Sequence, residues 1–310
     1  MTVVEQLALV LKKSPTDVTL FLNNAPKKYK VYTIPKRTSG HRVIAQPSKE
    51  LKIYQRKFLE LQDLPIHESA MAYRKGLSIK NNANAHKNNR YLLKLDLENF
   101  FNSISSELFW KVWGSILPRP PETDKRTLEN LLFWCPSKTT GGRLILSIGA
   151  PSSPLVSNFF MYKFDGAVQV LCAEREIKYT RYADDLTFST NQKNTLFELP
   201  RLIEIQLMTL FGSEIRVNRK KTKFSSTAHN RHVTGITISN DQKLSLGRSR
   251  KRYIKHLVHQ YILNKLDPEH TQHLRGLLSF AKHVEPSFLH SLAKKYSTEL
   301  IVKIVESRDE

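Results

Sequence analysis

Cysteine is nearly missing from these 310 residues, with only Cys135 and Cys172 present. Two isolated thiols supply neither a disulfide framework nor the paired spacing of a structural zinc site. Both read as small buried apolar residues in a reducing compartment. No apolar run approaches the ~20 residues of a membrane span, and the first residues lack the basic start and apolar stretch of a secretory signal. Membrane and secreted classes are thereby set aside, and a cytoplasmic location is expected. Glycine and proline are few, 11 and 14, and no repeat or low-complexity tract occurs, so a folded chain of two or three subdomains is expected. Acid is the scarce charge. Against 49 Lys and Arg stand 28 Asp and Glu, a net charge of +21. Such an excess repels itself unless a polyanion offsets it, which points first to nucleic acid and second to an anionic membrane surface.

What is present alternates strands and helices. Val3 to Leu11 has helical spacing, and Ser14-Pro-Thr-Asp17 resembles an N-cap opening a second helix. Lys30 to Lys36 and His41 to Ala45 predict a basic hairpin joined through Thr38-Ser-Gly40. Lys52 to Leu64 predicts a helix with Ile53, Phe58, Leu59 and Leu61 toward the core. Tyr91 to Leu97 reads as a strand, Ser106 to Ile116 and Leu128 to Trp134 as helices, and Arg143 to Ile148 as a strand. Gly149-Ala-Pro-Ser-Ser-Pro154 is a rigid turn before one long helix ending near Cys172. A helix over Leu196 to Leu210 and strands at Ile215 to Val217 and Val233 to Ile238 follow. Beyond Gly247 the pattern is helical, with Tyr253, Ile254, Leu257, Val258, Tyr261 and Ile262 on one apolar face and Leu274, Leu277, Leu278 and Ala281 on another. All apolar residues can be placed in a core, so no interface patch is expected.

The chemistry concentrates in Tyr179-Thr-Arg-Tyr-Ala-Asp-Asp-Leu-Thr-Phe-Ser189. Its acidic pair, Asp184 and Asp185, lies between two strand-like runs and reads as a hairpin tip. Asp is a common turn residue, so the pair needs partners to mean more. Asp96, at the end of an apolar strand and just before a helix, is such a partner if the two strands are neighbours. Three carboxylates around one point repel unless cations neutralise them. Two Mg²⁺ ions, for which Mn²⁺ can substitute, would do so and also serve nucleotidyl transfer.

With these residues the chain resembles the retron-type reverse transcriptases of bacteria. The resemblance rests on Leu95-Asp-Leu-Glu-Asn-Phe-Phe101, Gly149 to Pro154, Tyr182-Ala-Asp-Asp185 and Val217-Asn-Arg-Lys-Lys-Thr222, in the family's order. Asn82-Ala-Asn-Ala-His86 and Val233-Thr-Gly235 look like the two short signatures of retron enzymes. The likeness covers residues 28 to 247 by motif, and the later helices by position and character. It implies an α+β right-hand polymerase. Residues 1–90 would form N-terminal helices and fingers. Residues 91–247 would form a palm of antiparallel sheet with packed helices, with a finger or connection segment inserted at 117–148. Residues 248–310 would form a helical thumb.

The same resemblance implies roles. Asp96, Asp184, Asp185 and the carbonyl of Leu97 would hold the metals. Phe101 would select deoxynucleotides by crowding a 2′-hydroxyl, with Phe100 in the core. Lys36 and Arg42 would meet the triphosphate of dNTPs, Arg presenting a planar fork to phosphate. Gly149 and Ala150 would support the nucleotide. Lys221 or Lys220 could protonate or steady the pyrophosphate, or line the template path. Arg74 and Lys75 would track the template. Asn82 and His86 belong to a motif that would help recognise RNA; His86 itself reads as a surface or capping residue without chemistry. The family commonly has Gln before Gly149, and Ile148 stands here instead, which alters the nucleotide contacts.

From Arg216 to Lys255 there are twelve Lys or Arg and one acid, Asp241, which favours a duplex-binding groove. Arg248, Arg250, Lys251, Arg252 and Lys255 would grip a structured RNA by backbone and groove shape. The resemblance further implies a cognate noncoding RNA, priming from a guanosine 2′-hydroxyl, and a branched RNA-linked product, multicopy single-stranded DNA. Template removal would fall to a host RNase H, because the chain reads as too short to carry its own. A role in antiphage defence beside an ATPase and HNH nuclease effector is part of the same expectation. The alternatives are a group II intron or diversity-generating reverse transcriptase, or a scaffold that restrains a toxic effector.

Overall fold

The first helices form where their caps dictate. In the computed structural model, which describes residues 1–36 and 40–306, α1 (Val3–Leu11) opens on a capping box. Thr2 Oγ1 accepts from the Glu5 N–H, and the Glu5 carboxylate accepts from the Thr2 N–H. α2 (Pro15–Asn23) starts at Ser14, whose hydroxyl accepts from the Asp17 N–H. β1 (Tyr29–Pro35) and β2 (His41–Pro47) pair antiparallel over their whole length. Of the expected connecting residues, Thr38 and Ser39 lie outside the described residues.

α3 (Lys49–Leu61) begins earlier than the periodicity predicts because Ser48 caps it. Its core stripe is Leu51, Tyr54, Gln55 and Phe58. Ile53 falls off that stripe and Leu61 sits in the last turn, so both are exposed rather than core contacts. Next come α4 (Ile79–Asn84), β3 (Tyr91–Asp96), α5 (Phe100–Ser103), α6 (Ser106–Ile116) and α7 (Glu122–Leu132), the last shifted toward the N-terminus of the expected segment. Arg143 to Ile148 is not a strand. Only Ile145 is bridged, to Ser105 and Trp134, because two separate segments flank it instead of one continuous partner.

The expected long helix is two, α8 (Ser153–Phe160) and α9 (Tyr162–Ala173), broken at Met161. Phe160 and Phe164, either side of the break, both meet Phe211. β4 (Lys178–Tyr182), β5 (Asp185–Thr190), α10 (Leu199–Phe211) and β6 (Lys223–Ser226) complete this part. The sheet runs β4-β5-β3-β6, all antiparallel. β6 was hidden in a basic, serine-rich run with no alternating pattern. Ile215 to Val217 contributes only an isolated bridge, Val217 to Leu97.

Val233 to Ile238 is a hairpin and not one strand. β7 (Arg231–Val233) and β8 (Ile236–Ile238) are joined by Thr234 and Gly235, with φ of 45° and 79°. Two successive positive φ values match the twist of a tight hairpin, and glycine makes the second easy. β9 (Leu244–Ser245) adds an edge, and α11 (Arg248–Ile262), α12 (Pro268–Val284), α13 (Pro286–Tyr296) and α14 (Thr298–Glu306) follow. Tyr253 and Ile262 are exposed, while Ile254, Leu257 and Val258 are buried.

Apolar burial divides in two. One core runs from Leu7 to Val217 and joins the first helices to the four-stranded sheet; the other joins β7–β9 to α11–α14, with Ala83 and Leu92 at its margin. Not every apolar residue finds a core. Phe197 and Phe224 are exposed and form a ring pair at 5.2 Å, because β6 ends the sheet and leaves its outer flank uncovered. In the first core, fully buried Phe109 touches the rings of Trp110, Trp113, Phe133 and Phe159. Phe109→Ala should therefore cost about 3–5 kcal/mol, measured as a lowered urea midpoint; an unchanged midpoint would contradict this packing.

Candidate active site

The site is built by strand register. β3 and β5 pair so that Asp96 stands opposite Asp185, and β4 and β5 pair so that Tyr182 stands opposite Asp185. Ala183 and Asp184 are left as the turn, Ala183 at φ 58°. The Leu97 N–H donates to the Asp184 carbonyl at 3.0 Å, and the Asn218 N–H to the Asp96 carbonyl at 2.7 Å. The three carboxylates thus come from a strand end, a turn and a strand start that the backbone locks together.

Their electrostatics follow from crowding. Burial, then the charges of Asp185 and Asp96, raise the Asp184 carboxyl to about 6. Burial chiefly, with Asp96 adding, also raises Asp185. Lys221 Nζ donates to both oxygens of Asp96, at 2.7 and 2.9 Å. A cation already sits on the acid cluster as folded. Among the described residues, no three His, Cys, Asp or Glu side chains form a group that could hold a metal ion as they stand. The donor set nevertheless fits hard divalent cations. Oxygen ligands on rigid strands, whose negative form is disfavoured by burial and mutual repulsion, gain most from such an ion.

Beside this cluster opens a cavity of about 300 Å³ whose lining includes Phe101, Gly149, Ala150, Tyr73, Lys52 and Arg56. Gly149, at φ 130°, comes so close to β2 that a Cβ would lie 3.1 Å from the Ala45 carbonyl oxygen. The Ala45 N–H donates to the Ile148 carbonyl, so the backbone of Ile148, which replaces the usual Gln, docks on β2. Lys36 and Arg42 are exposed on the β1–β2 hairpin, and the Arg42 charge is felt at Tyr73, whose hydroxyl burial and Asp184 push up. Lys52 and Arg56 were missed in the sequence because no local motif contains them, and Tyr73 was passed over inside Ala72–Gly76, where the adjacent Arg74 and Lys75 drew the assignment.

A buried charge pair holds the turn from behind. Arg181 and Asp165 are fully buried, with Arg181 Nε and Nη2 donating to Asp165 at 2.8 and 2.7 Å. The Tyr179 hydroxyl also donates to Asp165. Arg181 Nη1 donates to the Ala183 carbonyl and to Asn158 Oδ1. Sequence inspection passed over both residues, since Asp165 lies in an apolar helix far from the acidic motif.

Several expected contacts need correction. His86 is fully buried and not a surface residue. Thr180 gives its one hydroxyl proton to Asn82 Oδ1, so His86 Nε2–H must donate to Thr180 Oγ1, and Nδ1 accepts from Ser189. Asn82 is equally buried. Both side chains brace β4 and β5 from within and cannot themselves touch RNA. Arg74 Nη1 donates to the carbonyls of Glu68 and Ala70, while Lys75 is exposed. Lys220, in a 3₁₀ turn over Arg219–Lys221, points to solvent. On α11, Lys251 is ion-paired with Glu285, and Arg250 donates to the Gly235 carbonyl and lies over Phe280. These two hold α11 to the small sheet and to α12–α13. Arg248, Arg252 and Lys255 remain exposed.

The family described as Reverse transcriptase (RNA-dependent DNA polymerase) matches residues 34–238, and the chain belongs to it. It is an RNA-directed DNA polymerase of α+β fold, and its domain implies dependence on a divalent metal. Within that family it is of the retron type. It is 46% identical over 297 residues to Retron Ec83 reverse transcriptase of Escherichia coli, covering 95% of each chain. It is 33% identical to Retron Ec73 reverse transcriptase of Escherichia coli, covering 89% of each. It is 32% identical to Retron Mx65 reverse transcriptase of Myxococcus xanthus, over 87% of this chain and 64% of that one.

Two predictions follow from the buried groups. Asp165→Ala strands the Arg181 guanidinium and should cost about 3–5 kcal/mol, whereas Asp165→Leu with Arg181→Met should cost less than that single change; urea unfolding of both compares them. Burial holds His86 down to about 3 from an ordinary 6.5. The unfolded chain therefore binds the extra proton between those values. Stability is full above about 6.5 and falls as pH drops below it. Between pH 7 and pH 5 the wild type should lose about 2 kcal/mol that His86→Gln does not, read from urea midpoints at the two pH values.

Proposed function

We propose that this protein copies part of a structured noncoding RNA into DNA, starting from a guanosine 2′-hydroxyl within that RNA. The product would be a branched RNA-linked multicopy single-stranded DNA. The observation that carries the polymerase chemistry is the Asp96–Asp185 register, which brings a carboxylate from β3 beside the turn acids of β4–β5. Residues 1–90 would act as fingers, 91–247 as palm with the 117–148 insertion, and 248–310 as thumb.

Asp96, Asp184 and Asp185, with the Leu97 carbonyl, would hold two divalent ions, Mg²⁺ with Mn²⁺ as substitute. Such ions, when bound, supply activation of the attacking hydroxyl and neutralisation of the pyrophosphate. The protein's own residues do the positioning. Phe101 lines the cavity where a sugar would sit and would crowd a 2′-hydroxyl. Gly149 and Ala150 let the nucleotide approach the backbone. Lys36 and Arg42 would reach the triphosphate from the hairpin. Lys221, seated on Asp96 by its two hydrogen bonds, is well placed to move onto the pyrophosphate once cations take over its role. Exposed Lys75, Lys220, Arg248, Arg252 and Lys255 supply phosphate contacts along a duplex.

Host RNase H would trim the template. Action in antiphage defence, with an ATPase and HNH nuclease as effector, belongs to the same reading and rests on the resemblance of the sequence motifs alone. The test is the nucleic acid that copurifies when the chain is expressed with its native flanking DNA. Expected is a short single-stranded DNA whose mobility shifts on debranching, absent from Asp184→Asn with Asp185→Asn. Linear RNA alone from an active polymerase would overturn the branched product.

A further inference from the structure

A second basic cavity lies at the other end of β3 from the catalytic carboxylates. It measures about 500 Å³, and its lining includes Asn88, Asn89, Arg90, Thr227, Arg231 and Asn240. Arg90 immediately precedes Tyr91, the first residue of β3, while Asp96 is its last. At ~3.3 Å per residue the strand separates the two sites by about 17 Å. A side chain at this cavity cannot serve a nucleotide held by Asp96.

Arg231 makes the cavity unusual. It is buried to 1% exposure, and its guanidinium donates to the carbonyls of Asn89 and Ser239, with Nε left without a partner. Among the described residues no carboxylate lines the cavity. The nearest acid in sequence, Asp241, is exposed and paired with Lys243. A buried cation without a counter-charge is costly and leaves a positive potential in a poorly solvated place. Arg90, by contrast, is exposed, and no hydrogen bond or ion pair of its side chain occurs among the described residues.

The walls are fixed before any ligand arrives. The Arg90 N–H donates to Asn191 Oδ1, and the Arg90 carbonyl accepts from the Thr227 N–H. Asn191 Nδ2 donates to the Asn88 carbonyl and to Asn89 Oδ1. Asn89 Nδ2 donates to Ser189 of β5, which in turn bonds His86. The cavity is thus braced on the same polar chain that stiffens the catalytic hairpin.

We propose that this cavity is a phosphate subsite, taking a phosphodiester of an RNA strand or a free phosphate monoester. Arg90 offers a planar fork matched to phosphate oxygens. Arg231 supplies charge from beneath, and the amides and the Thr227 hydroxyl suit the remaining oxygens and an adjoining sugar. The volume exceeds what a lone carboxylate would fill. The strand source rests on the RNA-handling reading above; the anion chemistry does not.

Arg90→Gln removes the fork without removing a structural contact. Fluorescence anisotropy should be measured across a salt series, with the native noncoding RNA and with an unrelated RNA of equal length. Titrations with orthophosphate and with a nucleoside monophosphate, followed by ³¹P NMR, complete the set. Expected for a strand is about tenfold weaker RNA binding and a log K against log salt slope smaller by about one. Arg90→Lys should restore the slope but not the full affinity. Extension of a preannealed generic primer–template should keep its kcat, since the carboxylates are untouched. If the free monoester binds the wild type and not Arg90→Gln, while RNA affinity is unchanged, the source is a free phosphate. If RNA affinity, salt slope and monoester binding are all unchanged, the proposal is overturned. Preference of the wild type for its own RNA over the unrelated one reports on the cognate-RNA reading alone, so the two can fail separately.

Discussion

A guanidinium sealed from water organises the centre of this protein. Arg181 is buried on β4 and must be compensated where it stands, which Asp165 does from α9. The rest of its fork is spent on the Ala183 carbonyl and on Asn158. Asn158 in turn donates to the Ala72 carbonyl, and the Arg181 backbone exchanges hydrogen bonds with Ser69 and Met71. One charge pair therefore ties α8, α9, the hairpin turn and the segment bearing Tyr73 and Arg74 into a single rigid body. A turn with a non-glycine residue at positive φ, as at Ala183, is a strained element, and such strain persists only where surroundings over-determine it. Here the surroundings are ionic and internal.

The opposite face of that turn carries the opposite problem. Asp96, Asp184 and Asp185 gather negative charge where burial already disfavours it, in a protein whose net charge is +21. The two facts belong together. A basic surface favours a polyanion, and within it a small acidic island is neutralised in place by the Lys221 ammonium on Asp96. Strength of positive field and precision of negative placement are supplied by different residues, and only the second demands a rigid scaffold.

Much of this was legible in sequence, for physical reasons that can be named. Asp96 and Asp184–Asp185 announce themselves because a strand ending in an acid and an acidic turn between two strand-like runs are local patterns. α1, α2 and α6 are read from caps and periodicity that depend on a few adjacent residues. What failed shares the opposite property. β6 pairs with β3 through backbone alone, and its serines and lysine carry no alternation. Ile145 and Val217 sit in extended segments whose partners are single bridges, so a pattern suited to a strand forms none. The tight turn at Thr234–Gly235 was masked by the apolar residues around it, and the break at Met161 leaves no mark in an otherwise continuous apolar helix.

The polar interior is the deeper case. Asn82 and His86 form a compact motif in sequence, and motif residues invite assignment to a ligand. Their side chains instead complete a chain from Asn82 through Thr180, His86 and Ser189 to Asn89, joining β4 and β5 away from the turn that carries the acids. Histidine and asparagine carry the same letters whether they face solvent, RNA or a core, and only the donors and acceptors around them decide. Such a network fixes one geometry because each link needs a matched donor and acceptor, which every link here has, although Asn82 Nδ2 stays unpartnered. A short motif of this kind can therefore mark a lineage because it fixes how β4 and β5 sit together. Lys251 and Arg250 argue the same way, since basic residues in a basic run turn out to hold α11 in place, while Arg248, Arg252 and Lys255 stay exposed.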